Sequence, residues 1–424
     1  MDASYIALII IGVALILYIT EVIPIAVTSI LACLALAIFG VIPIGTAFSG
    51  FGNDIVFLMA GMVVVGNTLF ETGVAQIIGK RIIKLVGRSE KRFTVALILV
   101  ATIPAAFLSN TAAAAMMLPV AAAAIAASGG RFSAKNTYMV VGIAAVTSGG
   151  LTAVGSPPQL IAQNILLEGG HDPIGFFELS WFGLPVIALL LLFYTTIGSK
   201  LQKKVFNFEE TMTTQEVEPS EVIEPPRDRR KMLISIGVLI FCVVGFITGL
   251  WTVGIVAMVG ASVCIITKCI SQKRAYQTMD WTTVIVIACS LGLSHGLVQS
   301  GAGLMIANTV VDLLGYNVNP WLLSAAVALL TVVLTNFMSS TATAALLIPI
   351  AVSIAMQIGI DVKSLVLVVV VAGNISYATP VSTPPMTMTL AAGYRFMDYV
   401  KIGGLFTLLA YVLVVLLFPL ILNF

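Results

Sequence analysis

The chain has 424 residues, of which 59% are hydrophobic and only 9% are charged, with a formal net charge of +2. So few charged residues cannot cover the surface of a soluble domain, and the basic ones cluster in loops rather than in a patch suited to nucleic acid. Several apolar runs approach the ~20 residues that cross a bilayer, as from Tyr5 to Ile19 and from Leu405 to Leu422. We therefore predict an all-α polytopic protein of the plasma (inner) membrane with no nucleic-acid partner.

The predicted elements fall into two halves, residues 1–199 and 232–424, joined by a charged, proline-bearing segment at 200–231 that is typical of a flexible linker. The first half contains, in order, spans near 4–20, 24–39 and 55–79, a hairpin at about 93–128, a broken span at about 137–166 and a span near 180–198. The second half repeats this order, with its hairpin at about 320–358 and its broken span at about 363–393. Because each hairpin is re-entrant and does not cross, this order predicts about ten transmembrane spans, five in each half.

The two halves resemble each other in sequence. When the chain is shifted by about 228 residues, Gly73 aligns with Gly301 and Gly87 aligns with Gly315. With nearly the same shift, the Pro157–Pro158 pair aligns with Pro384–Pro385. A duplicated unit of about 200 residues is the simplest explanation.

The distribution of basic residues predicts that the halves have opposite orientations, since lysine and arginine favour cytoplasmic loops. Residues 80–92 contain six of them, whereas the matching residues 308–320 contain none. The basic loop at 268–274 likewise matches a non-basic loop in the first half. We therefore predict an inverted repeat with a cytoplasmic linker and both termini outside, an arrangement common in secondary transporters.

Each predicted hairpin contains a polar triplet followed by small residues and a proline. The first reads "FLSNTAAAAMMLP" (Phe107 to Pro119) and the second "FMSSTATAALLIP" (Phe337 to Pro349). A hairpin that turns inside the membrane exposes backbone groups that lipid cannot satisfy. We expect the triplet hydroxyl and amide groups to cap the helix that follows each turn, and the alanines to allow close packing.

Each predicted broken span contains a proline pair, in "TAVGSPP" (152–158) and in "TPVSTPP" (379–385). Proline pairs interrupt a helix, freeing carbonyls on one side and starting a new helix on the other. Helix N-termini attract anions, whereas hydroxyls, amide oxygens and carbonyls suit a hard cation such as sodium. Since no lysine or arginine lies in the four motifs, we predict two cation sites flanking one anion site.

These motifs resemble those of the divalent anion/sodium symporters of the ion-transporter superfamily, which transport citrate, C4-dicarboxylates and sulfate. The resemblance implies sodium-coupled symport by an elevator motion in a homodimer, with sodium as the coupling ion and no other cofactor. It places the first sodium site at Ser109, Asn110 and Gly155, and the second at Thr335, Met338, Ser340 and Ser382. It places the substrate contacts at Asn110, Thr111, Ser340, Thr341, Thr383 and Pro384.

The sequence departs from the pattern of that family at three positions. Ser340 occupies a position that is usually asparagine, and Gln159 and Met386 follow the proline pairs where asparagine is usual. An efflux carrier or cation/proton antiporter of the same superfamily, similar to an arsenite exporter, is the alternative. An enzyme would need an acid/base pair or metal cluster near the motifs, and the sequence has neither there. We expect Asp280, near a predicted helix end, to have an interfacial or capping role.

Overall fold

The computed structural model describes residues 2–20, 22–74, 77, 89–107, 109–127, 132–206, 228–248, 250–314 and 319–422. Throughout these ranges the regular secondary structure is helical, and they contain no strand. This confirms the all-α prediction. Most of the predicted linker, and most of the basic cluster at 80–92, lie outside the described residues.

The described ranges contain seventeen principal helices. They are α1 (Ala3–Thr20), α2 (Ile25–Ile38), α3 (Asp54–Glu71), α4 (Glu90–Phe107), α5 (Asn110–Ala127), α6 (Ala134–Gly149), α7 (Pro157–Glu168), α8 (Ser180–Val205), α9 (Arg229–Thr248), α10 (Val253–Ile266), α11 (Trp281–Gln299), α12 (Ala302–Leu314), α13 (Pro320–Phe337), α14 (Ser340–Ile358), α15 (Val362–Gly373), α16 (Pro384–Met388) and α17 (Phe396–Ile421). Short helical segments at Ile44–Ala47, Ser49–Gly52, Gln272–Gln277 and Thr389–Ala392 connect some of them.

Six of the described helices, α8, α9, α11, α13, α14 and α17, are long and apolar enough to cross a membrane on their own. Further apolar helices are shorter, among them α2, α10 and α15. Of these, α15 ends at the buried Gly373, as expected of an element that ends within the bilayer instead of crossing it. The total of ten crossings stays a prediction.

The predicted hairpins and broken spans correspond closely to pairs of observed helices. The first hairpin is the α4–α5 pair, separated only by residues 108–109, and the second is the α13–α14 pair, separated by 338–339. The first broken span is the α6–α7 pair and the second is the α15–α16 pair. All four interruptions therefore fall next to the polar motifs that the sequence singled out.

Several helix–helix contacts occur twice, each involving corresponding helices of the two halves. Helix α3 packs on α10 as α2 packs on α11, and α4 packs on α6 as α13 packs on α15. The helix after each break packs on the hairpin of the other half: α7 packs on the second hairpin and α16 packs on the first. Helices α8 and α17, which close the two halves, pack on each other. A duplicated unit produces this kind of pairing, while the opposite orientation of the halves stays a prediction.

Ion pairs join distant parts of the chain near the ends of the helices. Glu71 at the end of α3 pairs with Arg274 at 2.8 Å, which links the two halves. Lys363, the second residue of α15, pairs with Glu178 at 2.8 Å. Both pairs are partly exposed, so each contributes no more than about 1 kcal/mol to stability.

Candidate functional site

Each hairpin tip is built around a serine cap. The Ser109 hydroxyl accepts a hydrogen bond from the Ala112 amide at 3.2 Å, and the Ser339 hydroxyl accepts one from the Ala342 amide at 3.1 Å. The predicted capping role therefore belongs to the first residue of each triplet. The other two residues form the first turn of α5 or α14, where backbone N–H groups have no intrahelical acceptor and the helix dipole is positive.

The breaks differ from the sequence-based expectation in the role of the prolines. Helix α6 ends at Gly149 and α15 ends at Gly373, several residues before each proline pair. The prolines are the first two residues of α7 and α16, where a missing N–H costs little. These two helix starts consequently offer fewer amides to an anion than we predicted. The free amides that could bind an anion therefore belong mainly to the hairpin tips.

One cavity, with a volume of about 70 Å³, lies where the two hairpin tips and the two breaks meet. All six residues predicted to contact substrate line it: Asn110, Thr111, Ser340, Thr341, Thr383 and Pro384. Ser109, Ser156, Pro157 and Pro385 line it as well. The structure thus brings together motifs that are more than 200 residues apart in the chain.

The opposite wall of the cavity comes from α3 and from the start of α11, which the sequence analysis did not assign to the site. Helix α3 contributes Leu58, Met59, Met62 and Val63. Asp280 and Thr283 contribute polar groups. Among the residues that the structure describes, no lysine or arginine lines the cavity, and Asp280 is its single charged side chain. Any anion bound there must be stabilised by amides, hydroxyls and bound cations.

The residues predicted for the first cation site lie close together. Ser109 and Asn110 line the cavity, and the Asn110 side chain faces the carbonyl oxygens of Gly155 and Ala145. When its amide nitrogen points toward them, it donates to Gly155 at 3.0 Å and to Ala145 at 3.2 Å. Gly149 allows this arrangement, because a Cβ atom at that position would overlap the Asn110 side chain.

The residues predicted for the second cation site are all buried, but only Ser340 lines the cavity. The Thr335 hydroxyl donates to the Gly373 carbonyl at 3.1 Å, and the Ser382 hydroxyl lies 2.9 Å from the Ser376 and Thr379 carbonyls. Met338 follows the last residue of α13 and is fully buried. This group is therefore a compact hydrogen-bonded region behind the cavity wall.

Buried polar side chains, for which the sequence analysis predicted no structural role, connect the breaks to neighbouring elements by hydrogen bonds. Asn336 donates to the Ile375 carbonyl at 2.9 Å and accepts from the Ala378 amide at 2.8 Å, which ties α13 to the second break. Ser156 donates to Asn374 at 2.7 Å, which ties the first break to the second. Gln159 donates to the Gly149 carbonyl at 3.0 Å. Buried side-chain amides beside the motifs were the available signal, because such groups require partners.

A helical membrane protein with a cavity that is lined by polar groups from two hairpin tips and two helix breaks has the architecture of a membrane transporter. The citrate transporter family model matches residues 15–372, and the chain belongs to this family. Its relatives are transporters and not enzymes.

Two relatives and one solved structure show how far the similarity extends. An uncharacterized transporter of Haemophilus influenzae is 29% identical over 94% of this chain and 88% of its own length. The sodium-dependent dicarboxylate transporter SdcS of Staphylococcus aureus is 23% identical over 89% of this chain and 78% of its own. The crystal structure of the YdaH transporter of Alcanivorax borkumensis, which has an unusual topology, superposes with a TM-score of 0.56 at 15% identity, covering 88% of this chain and 86% of its own. That last likeness concerns the fold alone.

Proposed function

We propose that this transporter is a sodium-coupled symporter of a small divalent anion of the C4-dicarboxylate, citrate or sulfate class. The proposal rests chiefly on one observation: among the described residues no lysine or arginine lines the cavity, and the polar N-terminal residues of two hairpin helices do. Free amides at these termini favour an anion. Bound cations would supply the rest of the neutralising charge, which couples anion binding to sodium. The names of the citrate transporter family and of SdcS support the same substrate class.

The geometry around Asn110 supports a sodium ion at the first site. Side-chain amide orientation is assigned from hydrogen bonding, so either end of this amide is compatible with the same positions of the heavy atoms. The Gly155 and Ala145 carbonyl oxygens lie beside this amide in either orientation. A hard cation stabilises such an oxygen cluster. We propose sodium at Ser109, Asn110 and Gly155, and a second sodium at Thr335, Met338, Ser340 and Ser382.

The anion would lie between the tips, contacting Asn110, Thr111, Ser340, Thr341, Thr383 and Pro384. The Thr383 hydroxyl is buried, and the described residues provide no hydrogen-bond partner for it. An unpartnered buried hydroxyl carries a free-energy cost that a ligand oxygen would remove. Ser340 has a shorter reach than the asparagine that is usual in similar proteins, so we expect a contact there through its hydroxyl only.

The lining of the cavity supports alternating access by an elevator motion. Hairpin tips and breaks, which pack on one another, supply one part of the lining, and α3 and α11, which pack on α10 and α2, supply the other; α11 also packs on α7 and α14. Sliding the first group past the second would carry the cavity across the membrane. We propose that this occurs in a homodimer in the plasma (inner) membrane, with the linker cytoplasmic and both termini outside.

A thermal-shift screen of the purified protein tests the binding chemistry. We expect one of succinate, malate, citrate, tartrate or sulfate to raise the melting temperature in sodium chloride, and to have little effect in choline chloride. The same salts without any anion provide the control. A shift by arsenite that does not depend on sodium would instead support an exporter or a cation/proton antiporter, an alternative that the carboxylate of Asp280 in the cavity favours.

Labelling from one side of the membrane tests the inverted repeat. All five native cysteines are buried, so an impermeant maleimide reports on introduced cysteines. Lys91 and Asn319 stand at the exposed starts of the two hairpins. We expect Asn319→Cys to react from outside in intact cells and Lys91→Cys to react only after the membrane is opened. Equal labelling of both from outside would contradict opposite orientations.

A further inference from the structure

Asp280 is placed where a transporter of anions has no evident need for a negative charge. It lines the cavity from the start of α11, outside the four motifs, and is its single charged lining residue among those that the structure describes. It is the N-cap of α11, one of the two roles that the sequence analysis expected. Its two carboxylate oxygens accept from the Thr283 amide at 3.1 Å and from the Thr283 hydroxyl at 2.5 Å.

Capping alone does not require a charge at this position. Asparagine and serine cap helices about as well as aspartate does. Arg274, the nearest basic residue before it in the described chain, is paired with Glu71 at 2.8 Å. A negative charge is therefore held at the cavity wall beside the place where the anion would bind.

We infer that Asp280 is a specificity-determining residue that limits the charge of the transported anion. This inference rests on the proposed function. Two sodium ions neutralise a dianion, and Asp280 then leaves the loaded cavity with one net negative charge. A trianion would add a second negative charge. Coulomb repulsion grows with ligand charge, so this carboxylate disfavours a trianion more than a dianion of similar size.

The test compares two carboxylate probes on the purified full-length protein in saturating sodium at pH 8. The probes are succinate, a dianion, and propane-1,2,3-tricarboxylate, a trianion. Asp280→Asn keeps a capping side chain of nearly the same size but removes the charge. We expect calorimetry to show that the dissociation constant of the trianion, divided by that of succinate, falls about tenfold in this variant. Asp280→Ser, a second neutral cap, should give the same change and replaces the asparagine variant if that one does not fold.

Asp54→Asn is the matched control. Asp54 is the first residue of α3, and it accepts hydrogen bonds from the Thr252 hydroxyl at 2.6 Å and the Gly254 amide at 3.0 Å, away from the cavity lining. Removing the charge of Asp54 should leave the ratio of the two dissociation constants unchanged. If the substitution only disturbed the structure, it would lower the affinity for both probes alike.

Three results would overturn the inference. If the wild-type protein binds succinate and the ratio is unchanged in the neutral Asp280 variants, Asp280 does not select by charge, and the proposed function stands. If a folded Asp280→Asn protein binds neither probe, the carboxylate attracts a bound cation instead of repelling the anion. If the wild-type protein binds neither probe in sodium, the proposed carboxylate substrates are wrong and the inference fails with them.

Discussion

Replacing Asn110 with alanine is expected to reduce sodium-dependent uptake at least about 100-fold while leaving folded protein in the membrane. The side chain reaches both the proposed anion and the Gly155 and Ala145 carbonyls of the proposed cation site. A hydrogen bond to a charged group contributes about 1.5–3 kcal/mol, so losing the contact to the anion together with the bonds to the two carbonyls accounts for this factor. Uptake and the melting temperature of the purified variant should be measured together.

Asn53→Ala is the control for that variant, because Asn53 hydrogen-bonds to Glu168 outside the cavity lining. Its uptake should stay close to that of the wild type. Gly149→Ala should reduce sodium-dependent uptake as well, since its added methyl group would overlap the Asn110 side chain. Normal uptake by folded Asn110→Ala protein would show that the site is assigned wrongly.

The largest loss of stability is expected for Gly403→Ala in α17. A Cβ atom there would overlap the carbonyl oxygen of Tyr377, in the second break. Tyr377 cannot easily move away, because its side chain is buried and its hydroxyl accepts from Thr147 at 3.1 Å. Overlap with a fixed backbone atom costs several kcal/mol, so in a chain of this length we expect the melting temperature to fall by roughly 3–5 °C.

Gly404→Ala is a control one residue away in the same helix. Its Cβ atom would meet only the Ala378 side chain at 3.8 Å, which is an ordinary contact. Alanine also favours a helix over glycine by up to about 1 kcal/mol. The melting temperature of Gly404→Ala should therefore equal or exceed that of the wild type. Equal stability of the two variants would contradict the close packing of α17 on the break.

The sequence predicted the elements well wherever a local signal existed. Apolar runs located the long helices, and the polar triplets located the hairpin turns, because a serine cap needs only the residues that follow it. The six predicted substrate contacts line one cavity. They could be named from the sequence because they belong to motifs that occur once in each half. The break positions were predicted less well. Helix α6 ends at Gly149 and not beside Pro157, since proline is accepted at the start of a helix.

The remaining cavity wall could not be predicted, since α3 has no motif there. Met59 and Met62 belong to an apolar helix, and only packing decides which of its faces meets the cavity. An interfacial or capping role was predicted for Asp280, and it is the N-cap of α11, but its place in the cavity wall depends on contacts between the two halves. The same holds for Asn336, whose hydrogen bonds to the second break are formed only in the folded chain.

Flux in reconstituted vesicles tests the coupling of anion transport to sodium most directly. Vesicles containing the purified protein would be given labelled anion, chosen from the thermal-shift screen, with an inward gradient of sodium or of choline. We predict accumulation above equilibrium with sodium, collapse of that accumulation when the sodium gradient is dissipated, and background uptake with choline. Accumulation of the same size in choline would contradict sodium coupling and with it the proposed role of the cation sites.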